Sequence, residues 1–278
     1  KLIAHIELER YLRIKQPPGD SAYFLSEYIL KPLGLTLSDV DLFATCFPRN
    51  RLDTYGGFFA LPPDRTYFVG HHTAHAAHAF YSSNFDQANI LSIDGGGYQS
   101  ETSVVYSTFS FGDGVRLSEV VPGALNYINI GGVWSRCTRF IFGFQNSGPI
   151  GSQTGTVMAM AALGDPQRFV DRFYRALTKE NLEASTRPPG QDWYRKGMFM
   201  PTDPKKDPEH PYWKDLVEVG RQSEQDRFDI AAGLQAATER VLIEYISHLY
   251  DISPSGTGNF SFVGGVALNS VALGKIKS

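Results

Sequence analysis

Along the chain, short apolar runs give way to stretches in which apolar side chains recur every three or four positions, and this rhythm divides it into elements. KLIAHIELE alternates and is rich in β-branched residues, which predicts a strand. DSAYFLSEYILKPLG carries apolar residues at helical spacing behind a capping Asp20 and stops at Gly34, which predicts a helix. DLFATCF and RTYFVG have the form of short buried strands. This opening part therefore alternates strand and helix, as in a mixed or parallel sheet with covering helices.

From residue 88 the pattern changes. ANILSIDGGG predicts a buried strand that ends in a glycine loop, and ETSVVYSTFSF and GVRLSEVV predict alternating strands joined by the hairpin signal FGDG, so the three form a meander. Helices are expected over VWSRCTRFIFGF and over TVMAMAALGDPQRFVDRFYRAL, the second broken near Gly164, Asp165 and Pro166. Residues 184–224 are rich in Pro and charge and predict an irregular excursion. RFDIAAGLQAATERVLIEYISHLYDIS is the clearest amphipathic helix, with Ile230, Leu234, Ala237, Val241 and Tyr245 at three- and four-residue steps. After the turn SPSGTGN, NFSFVGG predicts a second buried strand ending in glycines, followed by a helix over ALNSVALGKIK.

Composition narrows the class. The chain has 278 residues, a formal charge of −3, 42% hydrophobic and 20% charged residues, the profile of a globular protein large enough for two lobes. Charge alone does not point to nucleic acid as a partner. No apolar run approaches the roughly 20 residues that cross a bilayer, so the expectation is a cytoplasmic protein. Cys46 and Cys137 lie far apart and lack metal-ligand spacing, which excludes a disulfide framework and a zinc-thiolate site and predicts buried thiols. Gly-x-Ser-x-Gly and Walker patterns are absent, so nothing supports a serine hydrolase or a P-loop enzyme. The chain starts at Lys1 without Met and ends in an expected helix, so a fragment cut at both ends is the expectation.

Candidate chemistry concentrates in HHTAHAAHAF. If the segment is helical, His71 and His75 share a face at about 100° per residue, His78 falls near the same line, and His72 points elsewhere. Two imidazoles one turn apart offer nitrogens to a single metal ion, and His with carboxylate suits iron or another divalent transition ion. The bland alternative is a set of satisfied core and surface histidines. DGGG allows either close approach of backbone N–H groups to a phosphate or simply a tight turn, and Gly264 and Gly265 are equally open. FIFGF and the Met158/Met160 pair are expected in the core, and ELERYLRIK as a solvated strand end and turn.

Joined together, these segments resemble the O-carbamoyltransferase family of nodulation-factor and antibiotic biosynthesis, whose N-terminal domain is related to the tRNA threonylcarbamoyl transferases. ELERYLRIK is similar to that family's E-E-E-R-x-x-R-x-K, and the stretch from HHTAHAAHAF to IDGGG to its H-H-x-x-H-A-A…D-G-x-G. GTVMAMAALGDP is similar to G-K-V-M-G-L-A-x-Y-G, and DIAAGLQAATERVL and FVGGVALNSVALGKI to two late signatures.

The resemblance implies an α/β fold of the actin, sugar-kinase and Hsp70 type, with two lobes and a cleft, here 1–90 and 91–278. It implies His71, His75 and Asp94 as ligands of a ferrous or similar divalent metal, Gly95, Gly96 and Gly97 against phosphate, and Gly264, Gly265 and Asn269 in a nucleotide pocket. It also implies transfer of a carbamoyl group, from carbamoyl-adenylate made of carbamoyl phosphate and ATP in a separate domain, to a hydroxyl of a small molecule. The chain departs from the pattern at Thr156, where the family has lysine, and at Ala159, where it has glycine. Against that reading stand a non-catalytic nucleotide-binding homologue and, less favoured, a tRNA-modifying enzyme.

Overall fold

A computed structural model describes residues 3–13, 21–46, 61–120, 129–145, 152–175, 177 and 214–277. Two sheets organise them. The smaller pairs β1 (Phe43–Thr45) in parallel with β2 (Thr66–Phe68), Thr45 opposite Phe68. The larger contains β3 (Gln87–Tyr98), β4 (Val104–Asp113), β5 (Arg116–Glu119) and β6 (Phe260–Val263) in the order β5-β4-β3-β6. β3, β4 and β5 form the expected antiparallel meander, and β6 joins β3 in parallel with Leu91 opposite Phe262.

β3 is buried without a break from Ala88 to Ile93 because both faces of its sheet are covered. Strand periodicity sends Ala88, Ile90 and Ser92 to one face and Asn89, Leu91 and Ile93 to the other. The first face receives α3 (His71–Tyr81), whose buried stripe His72, Ala76 and Phe80 recurs every fourth residue; Ala76 and Phe80 cluster with Ala88 and Ile90. The second receives α4 (Ile130–Arg136) and α7 (Glu224–Asp251), around a core that includes Leu91, Ile93, Phe109, Ile130, Trp134 and Leu234. Burying a side chain of this size contributes about 1.5–3 kcal/mol.

α7 begins where Ser223 accepts a hydrogen bond from the backbone N–H of Asp226. Ile230, Leu234, Ala237 and Val241 form its buried stripe as the spacing predicts, and Tyr245 packs at the edge of the core. The Trp134 Nε1–H donates to Thr238 Oγ1 at 2.9 Å, a buried tie between α4 and α7. α5 (Thr154–Ala161) ends before Gly164, a short 3-10 turn follows at Pro166–Arg168, and helix resumes over 170–175, so the expected break is present. α6 (Lys214–Val219) precedes α7, and α8 (Ser270–Lys277) follows β6.

Two expectations fail. The described part of KLIAHIELE contains no strand: α1 (Leu8–Leu12) forms instead, because Leu8, Tyr11 and Leu12 share helical spacing, and it ends at Arg13 with φ 58°. The ring of Tyr11 then rests on Tyr28, centroids 4.3 Å apart. The DGGG segment is not a loop after a strand end. β3 runs through it to Tyr98, and the pairing slips from Ile93–Ser107 to Gly97–Val105, two extra residues on one strand, which makes it a bulge. The helix after Asp20 starts as α2 (Ser21–Phe24), continues as a π-helix over Leu25–Leu30 and a 3-10 turn over Lys31–Leu33, and stops at Gly34, φ 72°, as expected. Asp20 and most of the 184–224 excursion lie outside the described residues.

Candidate functional site

The bulge sets Asp94 at the start of the irregular stretch, where its side chain meets the first turn and a half of α3. Asp94 Oδ2 is 2.9 Å from His71 Nε2 and 3.1 Å from His75 Nε2, and the two Nε2 atoms are 3.2 Å apart. Three donor atoms thus form a nearly equilateral triangle. With bonds of about 2.1 Å, two neighbouring ligands of an octahedral cation stand about 3 Å apart, so this donor set fits a divalent transition ion. His71, His75 and Asp94 are the group of His, Cys, Asp and Glu among the described residues with such convergence. Their side chains are 26%, 31% and 21% exposed, which leaves the triangle open to a ligand on one side.

Electrostatics couple the group. The Asp94 carboxylate, with the Cys46 thiol beside it, raises the His71 imidazolium pKa to about 9 despite burial. Burial would raise the Asp94 carboxyl, but hydrogen bonds from His71 and His75 hold it far below the ordinary carboxylate range. Without a cation the triangle is therefore held by protons on the ring nitrogens, and a cation would have to displace them.

Neighbouring elements set this geometry. Just past β3, Gln99 Oε1 accepts from the His72 backbone N–H at 3.0 Å, and Gln99 Nε2 donates to Thr73 Oγ1 at 2.7 Å, so Gln99 caps α3 from outside. The His71 ring lies against Gly97: a Cβ there would come within 2.1 Å of the imidazole Cγ. Gly131, at the start of α4, abuts the Asp94 backbone just as tightly, with a Cβ 2.6 Å from its carbonyl.

The other residues singled out by the sequence divide. Gly95 is exposed, and Gly96 lies over the Tyr106 ring. Gly264, φ 97°, presses against the Ile93 carbonyl, and the position of a Cβ on Gly265 would be 3.8 Å from Asp94 Oδ1, so the β6 end adjoins the triangle. Asn269 is buried: it exchanges hydrogen bonds with the Gln235 amide at 2.8 and 3.1 Å and caps Ala272 N–H. His78 is exposed and outside the group, although its spacing put it near the same line. His72 points into the sheet, fully buried, with neither ring nitrogen hydrogen-bonded among the described residues, and burial first of all lowers its pKa to about 4.

Sequence reasoning missed Gln99, Gly131 and Cys46. Cys46 is half-buried beside His71, not a core thiol, because β1 and β2 run in parallel and Thr45 O accepts from Val69 N–H at 2.8 Å, one turn before α3. Cys137 is buried as expected, and burial pushes its thiol up. The signal available in the sequence is the Gly131-Gly132 pair at the start of the helix read over VWSRCTRFIFGF.

The fold and site define a mixed α/β domain in which a helix and a bulged strand converge two histidines and a carboxylate. The family model described as carbamoyltransferase N-terminus matches residues 61–278, and the chain belongs to that family. It is similar to an uncharacterized protein of Synechocystis, sll1178, 30% identical over 78% of this chain and 32% of the relative. It is also similar to nodulation protein NolNO of Sinorhizobium fredii, 26% identical over 99% of this chain and 40% of the relative. Nodulation protein NolO of Bradyrhizobium diazoefficiens is 26% identical over 75% of this chain and 33% of the relative. The chain thus spans a third to two fifths of these relatives. No helix among the described residues is long and apolar enough to cross a membrane.

Proposed function

We propose that this chain is the transfer domain of an O-carbamoyltransferase, in which His71, His75 and Asp94 hold one divalent cation, Fe2+ by the character of the donors. The observation that carries the reading is the triangle of Nε2, Nε2 and Oδ2 atoms within 3.2 Å of one another, in a member of the carbamoyltransferase N-terminus family. A cation there supplies Lewis-acid polarisation of a carbamoyl carbonyl. The protein's part is to present the ionised Asp94, to let His71 shed its proton, to fix the start of α3 through Gln99 and to seat the His71 ring on Gly97.

The group transferred comes from carbamoyl-adenylate, formed from carbamoyl phosphate and ATP by an adenylate-forming domain elsewhere in the whole protein. The acceptor hydroxyl oxygen bonds to the carbamoyl carbon as the bond from that carbon to AMP breaks, and the hydroxyl proton is released. Gly95 to Gly97 and Gly265 border Asp94 and give the phosphate an approach free of side chains. Asn269 acts one step back, by fixing Gln235. Gln235 lines a cavity of about 230 Å³ with Met158, Ala161, Glu239 and Lys275, which supports a nucleotide pocket on this side of α7. A two-lobed actin, sugar-kinase and Hsp70 type of architecture accommodates the layers of α3, sheet, and α4 with α7. The acceptor is a hydroxylated small molecule in a cytoplasmic setting.

Thr156, exposed on α5 where relatives of the resembled type carry lysine, favours a second reading: a nucleotide-binding homologue without chemistry. The intact protein, supplied with carbamoyl phosphate, ATP and a panel of hydroxylated acceptors, separates the two. Carbamoylated product by mass spectrometry, with about one metal per chain that is lost in His75→Ala and Asp94→Ala, is the expected result. Full metal content in both variants overturns the proposed site, and bound nucleotide without product favours the homologue. Retention of tRNA at physiological salt would instead indicate nucleic-acid modification.

A further inference from the structure

Among the described residues several arginines around α7 hold carboxylates, and two at one place do not. Arg168 holds Asp226 and Asp229, Arg172 holds Asp215, and Arg240 holds Glu244. Arg227, in the first turns of α7, has no carboxylate partner among the described residues. Its Nη2 donates to the Phe142 carbonyl at 2.9 Å, and its Nε–H is buried with no acceptor among the described residues. The guanidinium lies over the Phe142 and Phe144 rings, 5.9 and 5.5 Å from their centroids. A partly desolvated cation with a buried N–H left unsatisfied is costly unless something else completes it.

What lies beside it is a cavity of about 500 Å³, within the range of small-molecule sites. Arg221, exposed and also without an ion-pair partner among the described residues, contributes a second guanidinium to the wall. Phe144, Met160 and Phe228 supply an apolar side. The acidic groups nearby do not cancel this charge. Asp226 is taken by Arg168 and Ser223, and Glu224, which also lines the cavity, makes no ion pair among the described residues, so two guanidiniums stand there against one free carboxylate. None of the residues lining it belongs to the histidine triangle, and Arg227 precedes Gln235 by eight residues, about 12 Å along a helix, so this cavity and the one Gln235 lines open at different turns of α7.

We propose that this cavity is a second ligand site, built for a small organic oxyanion, a carboxylate or phosphate monoester, carrying a flat or apolar body. The free edge of the Arg227 fork donates to two oxygens side by side, Arg221 closes from the solvent side, and the body lies along Phe144, Met160 and Phe228. The site is independent of carbamoyl transfer and goes beyond it.

Calorimetric titration of the intact protein with phenyl phosphate, with benzoate and with neutral benzyl alcohol tests the proposal. One equivalent of either oxyanion binds, benzyl alcohol does not, and the stronger of the two identifies the headgroup. Arg221→Gln, which removes an exposed side chain and leaves the fold intact, weakens binding about tenfold, and Arg227→Gln abolishes it where thermal unfolding shows the variant folded. His75→Ala leaves this binding unchanged. The proposal is overturned if neither oxyanion binds, if binding is indifferent to Arg221→Gln, or if it disappears in His75→Ala, which would put the anion at the histidine triangle.

Discussion

His71 Nε2 and Asp94 Oδ2 stand 2.9 Å apart although one begins a helix and the other sits at a bulge 23 residues later. The contact exists because Asp94 continues the Ala88, Ile90 and Ser92 face that α3 covers, at the point where the pairing with β4 begins to slip. Asp94→Asn keeps the volume and removes the charge, so it separates shape from electrostatics. The variant is expected to fold, to bind a divalent metal at least about tenfold more weakly, and to bring the His71 pKa down from about 9 toward its ordinary value. Histidine NMR titration and metal analysis by mass spectrometry read both. An unchanged His71 titration would show that Asp94 does not hold the ring.

The pH dependence of stability in the metal-free protein follows from two histidines with opposite signs. His71 titrates near 9 when folded and near 6.5 when unfolded, so its contribution is complete below about 6.5 and is lost as pH rises toward 9. His72 titrates near 4 when folded, so the unfolded chain takes up its proton first and stability falls from about 6.5 down to 4. Asp94, held far below the ordinary range, adds to the acid loss below about pH 4. Each limb is worth up to about 3 kcal/mol, less for the quarter-exposed His71. Thermal unfolding across pH 4–9 is expected to peak near 6.5. Added divalent metal should flatten the alkaline limb, since the cation replaces the His71 proton, and a monotonic profile would contradict the assignment.

Gly97→Ala tests whether the glycine run serves the His71 ring. A methyl group would occupy the space of the imidazole Cγ, and the ring must leave. Gly97 does not have positive φ, so the backbone tolerates alanine. The expected outcome is a folded protein, with a loss of about 1–3 kcal/mol in stability and a larger proportional loss of metal. Metal content equal to the parent's would show that the ring has another seat.

Much of this was legible in advance, and the failures share a cause. The four-residue repeat from His71 to His75, the apolar run ending at Asp94 and the stripe from Ile230 to Val241 are local periodicities; the two helices formed over theirs, and a strand formed over the run but continued past Asp94 to Tyr98. What stayed hidden depends on partners distant in sequence. Alternation predicts a strand but cannot show that β3 pairs through DGGG with a two-residue slip, because the slip is set by Val105 and Ser107 on the neighbouring strand. Gln99 looks like an ordinary turn residue until α3 is laid beside it. The opening segment misled because Leu2, Ala4 and Ile6 alternate, while the helix begins only at Leu8.

Thr108 offers the last prediction. It faces Ser92 across β3 and β4, on the side of the sheet that α3 covers, and its Oγ1, the Ser92 hydroxyl and both His72 ring nitrogens are buried without hydrogen bonds among the described residues. A hydroxyl in such a place gives up water and gains no partner, so valine, with the same outline, removes a cost. Thr108→Val is therefore expected to leave stability unchanged or raise it by about 1 kcal/mol in thermal unfolding. A loss of about 1 kcal/mol or more would mean that an internal water joins Thr108 to Ser92 and to one His72 ring nitrogen. In that case Ser92→Ala should cost a similar amount, and the double variant less than the sum, since both remove the same bridge.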